Sequence, residues 1–295
     1  MSCEHEPDER FGFCLSCADS ASLDSISSYD PTDKGKLLRV SKSSWMGYRW
    51  CPRRYWWEKV QLKHIRSPPT APMIRGSEIH DGLEHLYRDW DGQNMLRPLL
   101  PESDEEAYDT LADLEQQRIE LWGIEHFKPF EVEEKRVVYD SDNDIVLVGK
   151  IDGLLLHPEG GICILELKTG SFNSNKISKT RLELCFYARL LKLMGEEREI
   201  THFAFLGPDA DDYKFLTSMK ETRNKVVLFG KDRGMLIVEK TTMRSFNSFA
   251  EKFPIDVNNI RELEWGMKWN DYTCPIYCDF HLSCESELEG FDFEW

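Results

Sequence analysis

The sequence has little positive charge and no long apolar run. Its 295 residues include 37 Lys and Arg against 53 Asp and Glu, and the formal net charge of −16 argues against a protein coated in phosphate-binding surface. No segment approaches the roughly 18 consecutive apolar residues of a transmembrane helix, so we expect no membrane partner. The acidic N-terminus lacks the apolar stretch of a secretory signal. We therefore expect a cytoplasmic, intracellular protein.

Two classes of motif are also missing from the sequence. It contains no internal repeat and no G-x-x-x-x-G-K-[ST] segment, so the chain carries no P-loop motor of its own. Disulfides are rare in a reducing compartment, and the nine cysteines therefore favour metal ligation over cross-linking.

The residue pattern along the chain predicts an α/β protein. Residues 1–33, rich in Ser and Asp, form a predicted N-terminal tail and linker, and 34–295 form the predicted folded domain. Apolar periodicity predicts helices over 41–60, 74–90, 103–126 and 180–196. Short β-rich runs predict strands over 135–140, 144–157, 161–170, 202–207, 224–230 and 234–240. The first three strands are expected to form an antiparallel meander.

Three charges lie inside apolar stretches of the predicted sheet. Asp152 interrupts GKIDGLLLH, and Glu166 and Lys168 stand two apart in ICILELKTG. Side chains alternate along a strand, so Glu166 and Lys168 point the same way, and the short HPEGG turn can bring Asp152 beside them. Buried carboxylates that lie close together need a cation, and a hard divalent ion, Mg²⁺ or Mn²⁺, suits oxygen ligands.

Such a site would hydrolyse phosphate esters. The metal polarises a phosphate, while Lys168 orients or deprotonates the attacking water or neutralises the developing charge. The same short pattern also arises by chance as a cross-strand ion pair at a sheet edge, so the three residues alone leave both interpretations open.

The segment GKIDG followed by ELKTG resembles the PD-(D/E)xK nuclease superfamily, and most of all its RecB-type branch, which includes the iron–sulfur exonucleases of CRISPR adaptation. SKSSWMGYRWCPRRYWW resembles the N-terminal helix of that branch, with its C-P-R-R motif. RGSEIHDGLEHLY resembles the R-G-x-x-x-H-x-x-L-E helix, and CPIYCDFHLSC supplies three cysteines in the expected place. The resemblance covers 41–284. It implies a restriction-endonuclease-like core, a mixed sheet flanked by helices, with a C-terminal iron–sulfur segment.

The resemblance implies roles for individual residues. Asp152 and Glu166 match the metal-binding carboxylates, Lys168 the catalytic lysine, and His80 a further metal ligand. A histidine on a helix face is usually a core or surface residue, but the flanking motif residues of His80 favour the ligand interpretation.

One position departs from the pattern of the family. A Q-x-x-x-Y motif is expected in the helix after the active strands, and here Glu183 takes the Gln position and Tyr187 the Tyr position. Both are predicted to contact DNA near the metal. The added negative charge of Glu183 could serve as an extra ligand or weaken the DNA contact.

Four cysteines form a candidate metal site. Cys51 stands alone in its helix, while Cys274, Cys278 and Cys284 cluster as C-x₃-C-x₅-C. Four thiolates suit zinc or a [4Fe–4S] cluster. The resemblance implies the cluster, although its usual spacing is C-x₂-C-x₅-C, and zinc or no metal stay open.

The N-terminus holds a second candidate site for zinc. Cys3, His5, Cys14 and Cys17 form C-x-H-x₈-C-x₂-C, and these donor types at short spacing are typical of zinc ligands. The alternative is a tail that happens to contain three cysteines.

A basic and aromatic stretch precedes these motifs. Residues 34–66 hold ten Lys or Arg and one acid, Glu58, which could form a nucleic-acid surface or a solvated helix face. Trp45, Tyr48 and Tyr55 are expected to pack, with Arg53 and Arg54 near DNA or in structural ion pairs.

We therefore expect a metal-dependent nuclease that hydrolyses DNA, as a single-strand exonuclease in DNA repair, recombination or CRISPR adaptation. The alternative is a non-catalytic DNA-binding or adaptor protein of the same fold that works with a helicase or an integrase.

Overall fold

The computed structural model describes residues 8, 14–25, 37–62, 68–89, 105–170, 174–209, 221–230 and 234–290. These residues form two compact units. The described residues of the first unit fall within Met1–Ser67, Val137–Val148 and Ala250–Trp295, and those of the second within Pro68–Arg136 and Gly149–Phe249.

Helices and strands occur in groups along the chain. The helices are α1 Ser20–Ser25, α2 Lys42–Trp50, α3 Pro52–Trp56, α4 Ala71–Asp89, α5 Glu105–Trp122, α6 Ser174–Leu193, α7 Met243–Arg261, α8 Thr273–Tyr277 and α9 His281–Leu288. The strands are β1 Leu38–Ser41, β2 Glu134–Asp140, β3 Ile145–Ile151, β4 Gly153–Leu156, β5 Ile162–Leu167, β6 Ile200–Gly207, β7 Lys225–Phe229 and β8 Met235–Lys240. None of the described helices has the length and hydropathy needed to cross a bilayer.

The first unit contains a three-stranded sheet in the order β1-β3-β2, with β1 and β3 parallel. Helix α2 begins where predicted, because Ser41 and Ser44 form a reciprocal capping box. Trp45 of this helix is fully buried, and its ring packs edge-on against Phe253 at 5.2 Å between centroids. The aromatic residues predicted to pack, Trp45, Tyr48 and Tyr55, are all buried.

Part of the segment predicted as a linker packs against this sheet. Leu23 of the short helix α1 is buried in a cluster with Leu15, Leu37 and Val146. The carboxylate of Asp19 accepts a hydrogen bond from the Ser22 amide at 2.7 Å, which caps the helix. Apolar burial thus holds residues 14–25 to the first unit.

The second unit is built on a mixed five-stranded sheet in the order β4-β5-β6-β8-β7. Strands β5 and β6 run parallel and are joined by helix α6, while the other pairs are antiparallel. The apolar face predicted for α4 is buried, with Ile79, Leu83, Leu86 and Tyr87 in one cluster with α5 and the sheet. The mixed sheet flanked by helices is therefore confirmed.

The prediction of a single strand over 144–157 is wrong. The chain bends at Asp152, so that this stretch forms two strands, β3 and β4, which belong to different sheets. The expected antiparallel pairing is confirmed for β4 and β5, with Gly153 opposite Leu165. At the bend, the Asp152 side chain accepts a hydrogen bond from the Leu167 amide, in place of a bond between two strand backbones.

Candidate active site

An open cleft of about 600 Å³ lies in the second unit, lined in part by His80, Glu133, Lys150, Asp152 and Thr169. Four of these residues lie at or near the ends of strands, and His80 lies in the middle of a helix. His80 stands on α4, Glu133 precedes β2, Lys150 and Asp152 flank the end of β3, and Thr169 follows β5. The cleft therefore collects polar side chains at points where strands end.

Helix α4 approaches the end of β5 closely because it carries a glycine at the contact. A Cβ atom at Gly76 would lie 3.0 Å from the Thr169 hydroxyl. Arg75 donates a hydrogen bond to the Thr169 carbonyl at 3.4 Å. His80 follows Gly76 by about one helical turn, so the Arg-Gly pair positions the histidine beside the strand.

The two glycines that flank Asp152 also permit close packing. A Cβ at Gly149 would lie 2.9 Å from Leu190 and 3.1 Å from the Tyr187 ring, and one at Gly153 would lie 3.3 Å from Leu165. Larger residues at these positions would push the chain away from α6 and β5. The two glycines of GKIDG are thus explained by the lack of room for a side chain at positions 149 and 153.

Asp152 is anchored to the neighbouring strand through its side chain. Its Oδ2 accepts a hydrogen bond from the Leu167 amide at 2.6 Å. Its Oδ1 faces His80, 3.7 Å from Nδ1. Asp152 is 8% exposed, so one oxygen is fixed by the backbone and the other faces the cleft.

Glu133 joins His80 and Asp152, a contribution that the sequence analysis missed. One ligand atom from each of these three residues lies within 4.8 Å of the others. The Glu133 carboxylate is 3.0 Å from His80 Nδ1 and 2.5 Å from Lys150 Nζ. Its backbone has φ of +52°, an uncommon conformation for a residue with a side chain. The signal in the sequence was weak, because the residue lies among several acids in EVEEK.

The charges of this group shift the affinities of its members for protons. Burial opposes protonation of His80, but the hydrogen bond to Glu133 and the negative charge of Asp152 outweigh it and raise the pKa of His80. Burial likewise opposes the ionised form of Glu133, but His80 and Lys150 outweigh it and lower the pKa of Glu133. Positive charge is therefore favoured where these carboxylates meet.

Lys168 lies between two carboxylates. Its Nζ is 2.6 Å from Glu166 Oε1 and 2.6 Å from Glu183 Oε2. Glu166 is 2% exposed and stands on β5, which is an interior strand of the sheet. The pair is therefore not the sheet-edge ion pair that was the alternative interpretation of the E-x-K pattern.

Tyr187 is placed differently from what the family motif led us to expect. It is buried, and its hydroxyl donates a hydrogen bond to the Lys150 carbonyl at 2.6 Å. Burial raises the pKa of Tyr187, and the charges of Glu166 and Asp152 raise it further. The phenol thus supports the backbone two residues before Asp152.

The four predicted cluster cysteines lie together in the first unit. They are buried and line one cavity of about 280 Å³. Burial raises the pKa of Cys284 to about 11, and the neighbouring Cys278 and Cys51 add to the shift. Among the described residues, the cysteine sulfurs do not form a set of three within 4.8 Å of one another. Cys163 and Cys185 are also buried and belong to the apolar core.

Arg53 and Arg54 form ion pairs near these cysteines. Arg53 pairs with Glu287, and its guanidinium lies 4.8 Å from the centre of the Trp56 ring. Arg54 pairs with Glu58 at 2.5 Å. Of the two alternatives for these arginines, the structure places them in ion pairs, which neutralise part of the basic stretch.

Of the four predicted N-terminal zinc ligands, the structure describes two. Cys14 and Cys17 lie in a turn, where the Cys17 amide donates to the Cys14 carbonyl at 3.2 Å. Cys3 and His5 lie outside the described residues. The zinc site therefore stays a prediction.

The geometry of the cleft agrees with a comparison against known families. The sequence profile of the PD-(D/E)XK nuclease superfamily matches residues 39–285. The chain belongs to this superfamily. The match spans Cys51, the cleft residues and the C-terminal cysteines, so the resemblance found in the sequence is confirmed. A search of curated proteins gives no significant match.

Solved structures give weaker similarities. The crystal structure of SSO0001 is 14% identical, covers 84% of this chain and 86% of its own, and has a TM-score of 0.45. A predicted exonuclease from Eubacterium rectale is 10% identical, covers 87% of this chain and 90% of its own, and has a TM-score of 0.46.

Glu133→Gln should weaken the binding of Mn²⁺ in the cleft by about tenfold or more, because it removes a charged oxygen donor from the set. Mn²⁺ binding is measured by electron paramagnetic resonance of the free ion. The matched control is Glu134→Gln, which removes an exposed neighbouring carboxylate and should bind Mn²⁺ as the parent does. Equal affinity in all three proteins would remove Glu133 from the site.

Proposed function

We propose that this protein is a metal-dependent deoxyribonuclease that hydrolyses phosphodiester bonds of single-stranded DNA as an exonuclease. Membership of the nuclease superfamily supports the reaction class. The observation that carries the proposal is the meeting of His80, Glu133 and Asp152 in one cleft, with the ion pair of Glu166 and Lys168 on the adjoining strand. The preferences for single strands and for chain ends rest on the resemblance to the RecB-type branch.

The donor set of the cleft fits a hard divalent cation. Asp152, Glu133 and Glu166 offer carboxylate oxygens, and His80 offers an imidazole nitrogen, a mixture that suits Mg²⁺ or Mn²⁺. When bound, such an ion polarises the phosphate and favours ionisation of the attacking water. The raised pKa of His80 is consistent with a group of carboxylates that attracts positive charge.

Asp152 and Tyr187 hold the site in place. The Leu167 amide fixes one oxygen of Asp152, so that the other is directed to the cleft. Tyr187 fixes the backbone at Lys150, and we assign it this positioning role in place of the expected DNA contact. Such preorganisation is needed because misplacement by about 1 Å can cost a hundredfold in rate.

Lys168 acts by its charge in this proposal. Its Nζ forms ion pairs with two carboxylates at 2.6 Å, contacts that a charged ammonium group makes. The ammonium can donate a hydrogen bond to the attacking water or to a phosphate oxygen as negative charge develops there. Hydrolysis then adds water across one P–O bond, which leaves a terminal phosphate and a free hydroxyl group.

Lys168→Ala should reduce cleavage of labelled single-stranded DNA by about a hundredfold to a thousandfold, since it removes a charged group from the reacting centre. Binding of DNA and of Mn²⁺ should change much less. Cleavage is followed in Mn²⁺ with the parent, the variant and Lys192→Ala, a lysine in the last turn of α6, as the control. A parent that binds DNA without cutting it would support the non-catalytic adaptor, and its activity should then be sought with a helicase or an integrase added.

Glu183→Gln should bind DNA several times more tightly than the parent, because it keeps a hydrogen-bond acceptor for Lys168 and removes a negative charge near the phosphate. Glu183→Ala should lose activity, since Lys168 loses a partner. The Michaelis constant and turnover number of both variants separate the alternatives for this residue. A loss of activity in Glu183→Gln equal to that of Glu183→Ala would favour a role as an extra metal ligand.

We propose further that Cys51, Cys274, Cys278 and Cys284 hold a [4Fe–4S] cluster. Four buried thiols line a single cavity, which fits a group with four thiolate ligands. Tetrahedral zinc with Zn–S bonds of about 2.3 Å would draw the sulfurs to about 3.8 Å from one another. Any three of the described sulfurs include a pair more than 4.8 Å apart, a spacing that suits the larger cluster.

Anaerobically purified protein should show a broad absorbance at about 400 nm and contain iron, as thiolate-ligated clusters do. Cys278→Ser should lose that absorbance and most of the iron, while Cys185→Ser, which changes a buried core thiol, should keep both. Iron and zinc are measured on the same samples. Stoichiometric zinc without iron would overturn the cluster assignment and leave the cleft assignment untouched.

A further inference from the structure

A second group of side chains of the types that bind metals lies in the second unit, at His157, Glu159 and His202. His157 follows β4, Glu159 lies in the turn that leads to β5, and His202 stands on β6. Strand β5 lies between β4 and β6 in the sheet. The group therefore spans three consecutive strands at the end where the β4–β5 turn closes.

The three side chains are close enough to share one ion. One ligand atom from each lies within 4.8 Å of the other two. The imidazole rings of His157 and His202 are stacked, with centroids 3.5 Å apart and planes inclined by 14°. The lone pairs of two parallel stacked rings do not converge on one point, so at least one imidazole has to turn before both nitrogens can bind zinc, whose ligand atoms lie about 3.4 Å apart.

His202 presents the correct ring nitrogen for coordination. Thr201 Oγ1 is 3.0 Å from the Gly160 carbonyl, which accepts its single proton. The same oxygen is 3.0 Å from His202 Nδ1 and so accepts a hydrogen bond from it. This arrangement leaves the lone pair on Nε2, as in metal-binding histidines whose other nitrogen donates to a neighbour. Burial lowers the pKa of His202 to about 4, which is consistent with a neutral ring.

Zinc would displace present contacts of His157 and Glu159. His157 Nδ1 accepts a hydrogen bond from the Glu159 amide at 3.1 Å, and the ring packs edge-on against Trp122 at 4.8 Å. The Glu159 carboxylate pairs with Lys240 at 2.7 Å, and both side chains are largely exposed. The Lys240 ammonium group already pairs with this carboxylate, so it would compete with a metal ion.

We propose that His157, Glu159 and His202 form a Zn²⁺ site, distinct from the oxygen-rich set of the catalytic cleft. Two imidazole nitrogens and one carboxylate favour zinc over Mg²⁺ or Mn²⁺. Water fills the fourth position of a tetrahedral ion. The ion ties the β4–β5 turn to β6 and so stabilises the end of the sheet, independently of nuclease activity.

The test measures Zn²⁺ bound per chain by equilibrium dialysis of the full-length protein followed by metal analysis. The parent should bind one more Zn²⁺ than His202→Gln, and Glu159→Gln should bind that ion about tenfold more weakly or worse. The matched control is His85→Gln, which changes an exposed histidine paired with Asp89 and should bind Zn²⁺ as the parent does. Mn²⁺ uptake should be the same in all four proteins.

Glu159→Gln keeps the test decisive if the buried His202 variant fails to fold, because Glu159 lies on an exposed turn. Lys240→Met supplies a second arm: removal of the competing cation should tighten Zn²⁺ binding severalfold. Equal Zn²⁺ stoichiometry and affinity in the parent, Glu159→Gln and Lys240→Met would overturn the proposal and leave these residues as an ion pair beside stacked histidines.

Discussion

The hydrogen bond from the Leu167 amide to the Asp152 carboxylate is the interaction on which the site depends. Leu167 lies between Glu166 and Lys168, whose side chains share one face because directions alternate along a strand. One bond between a backbone group and a side chain therefore fixes three charged residues relative to one another. It also satisfies a strand amide at the end of β5, where the β4 ladder stops at Gly153 opposite Leu165.

The candidate residues whose proximity follows from the sequence are those held by regular elements, and their roles stay predictions. Asp152, Glu166 and Lys168 meet because strand alternation and a short turn leave few other arrangements. His80 reaches the same cleft because Gly76, one helical turn earlier, permits α4 to approach Thr169. Both inferences rest on local periodicity, which can be recognised in the sequence without knowledge of distant contacts.

The features that escaped prediction depend on irregular backbone and on distant partners. Glu133 has a left-handed backbone conformation, and its side chain contacts His80 from there. No hydrophobic periodicity in the sequence marks this position. The bend at Asp152 was missed because apolar residues continue on both sides of it. The arginines of the basic stretch looked available for DNA, yet Arg49 pairs with Asp256 and Arg53 with Glu287, acids more than 200 positions away in the sequence.

The balance of charge at the cleft gives a reason for the proposed metal dependence that does not rest on the family. Around the cleft, the carboxylates of Glu133, Asp152, Glu166 and Glu183 outnumber the ammonium groups of Lys150 and Lys168, and Asp81 adds a further carboxylate to the lining, so negative charge is in excess when His80 is neutral. A DNA phosphate entering this field is repelled, and the partly buried setting limits screening by salt. A divalent cation reduces the excess. In the proposed function, metal binding should therefore precede productive DNA binding, and the Glu183 carboxylate, at a position where the family resemblance implies a neutral glutamine, should make that order more stringent.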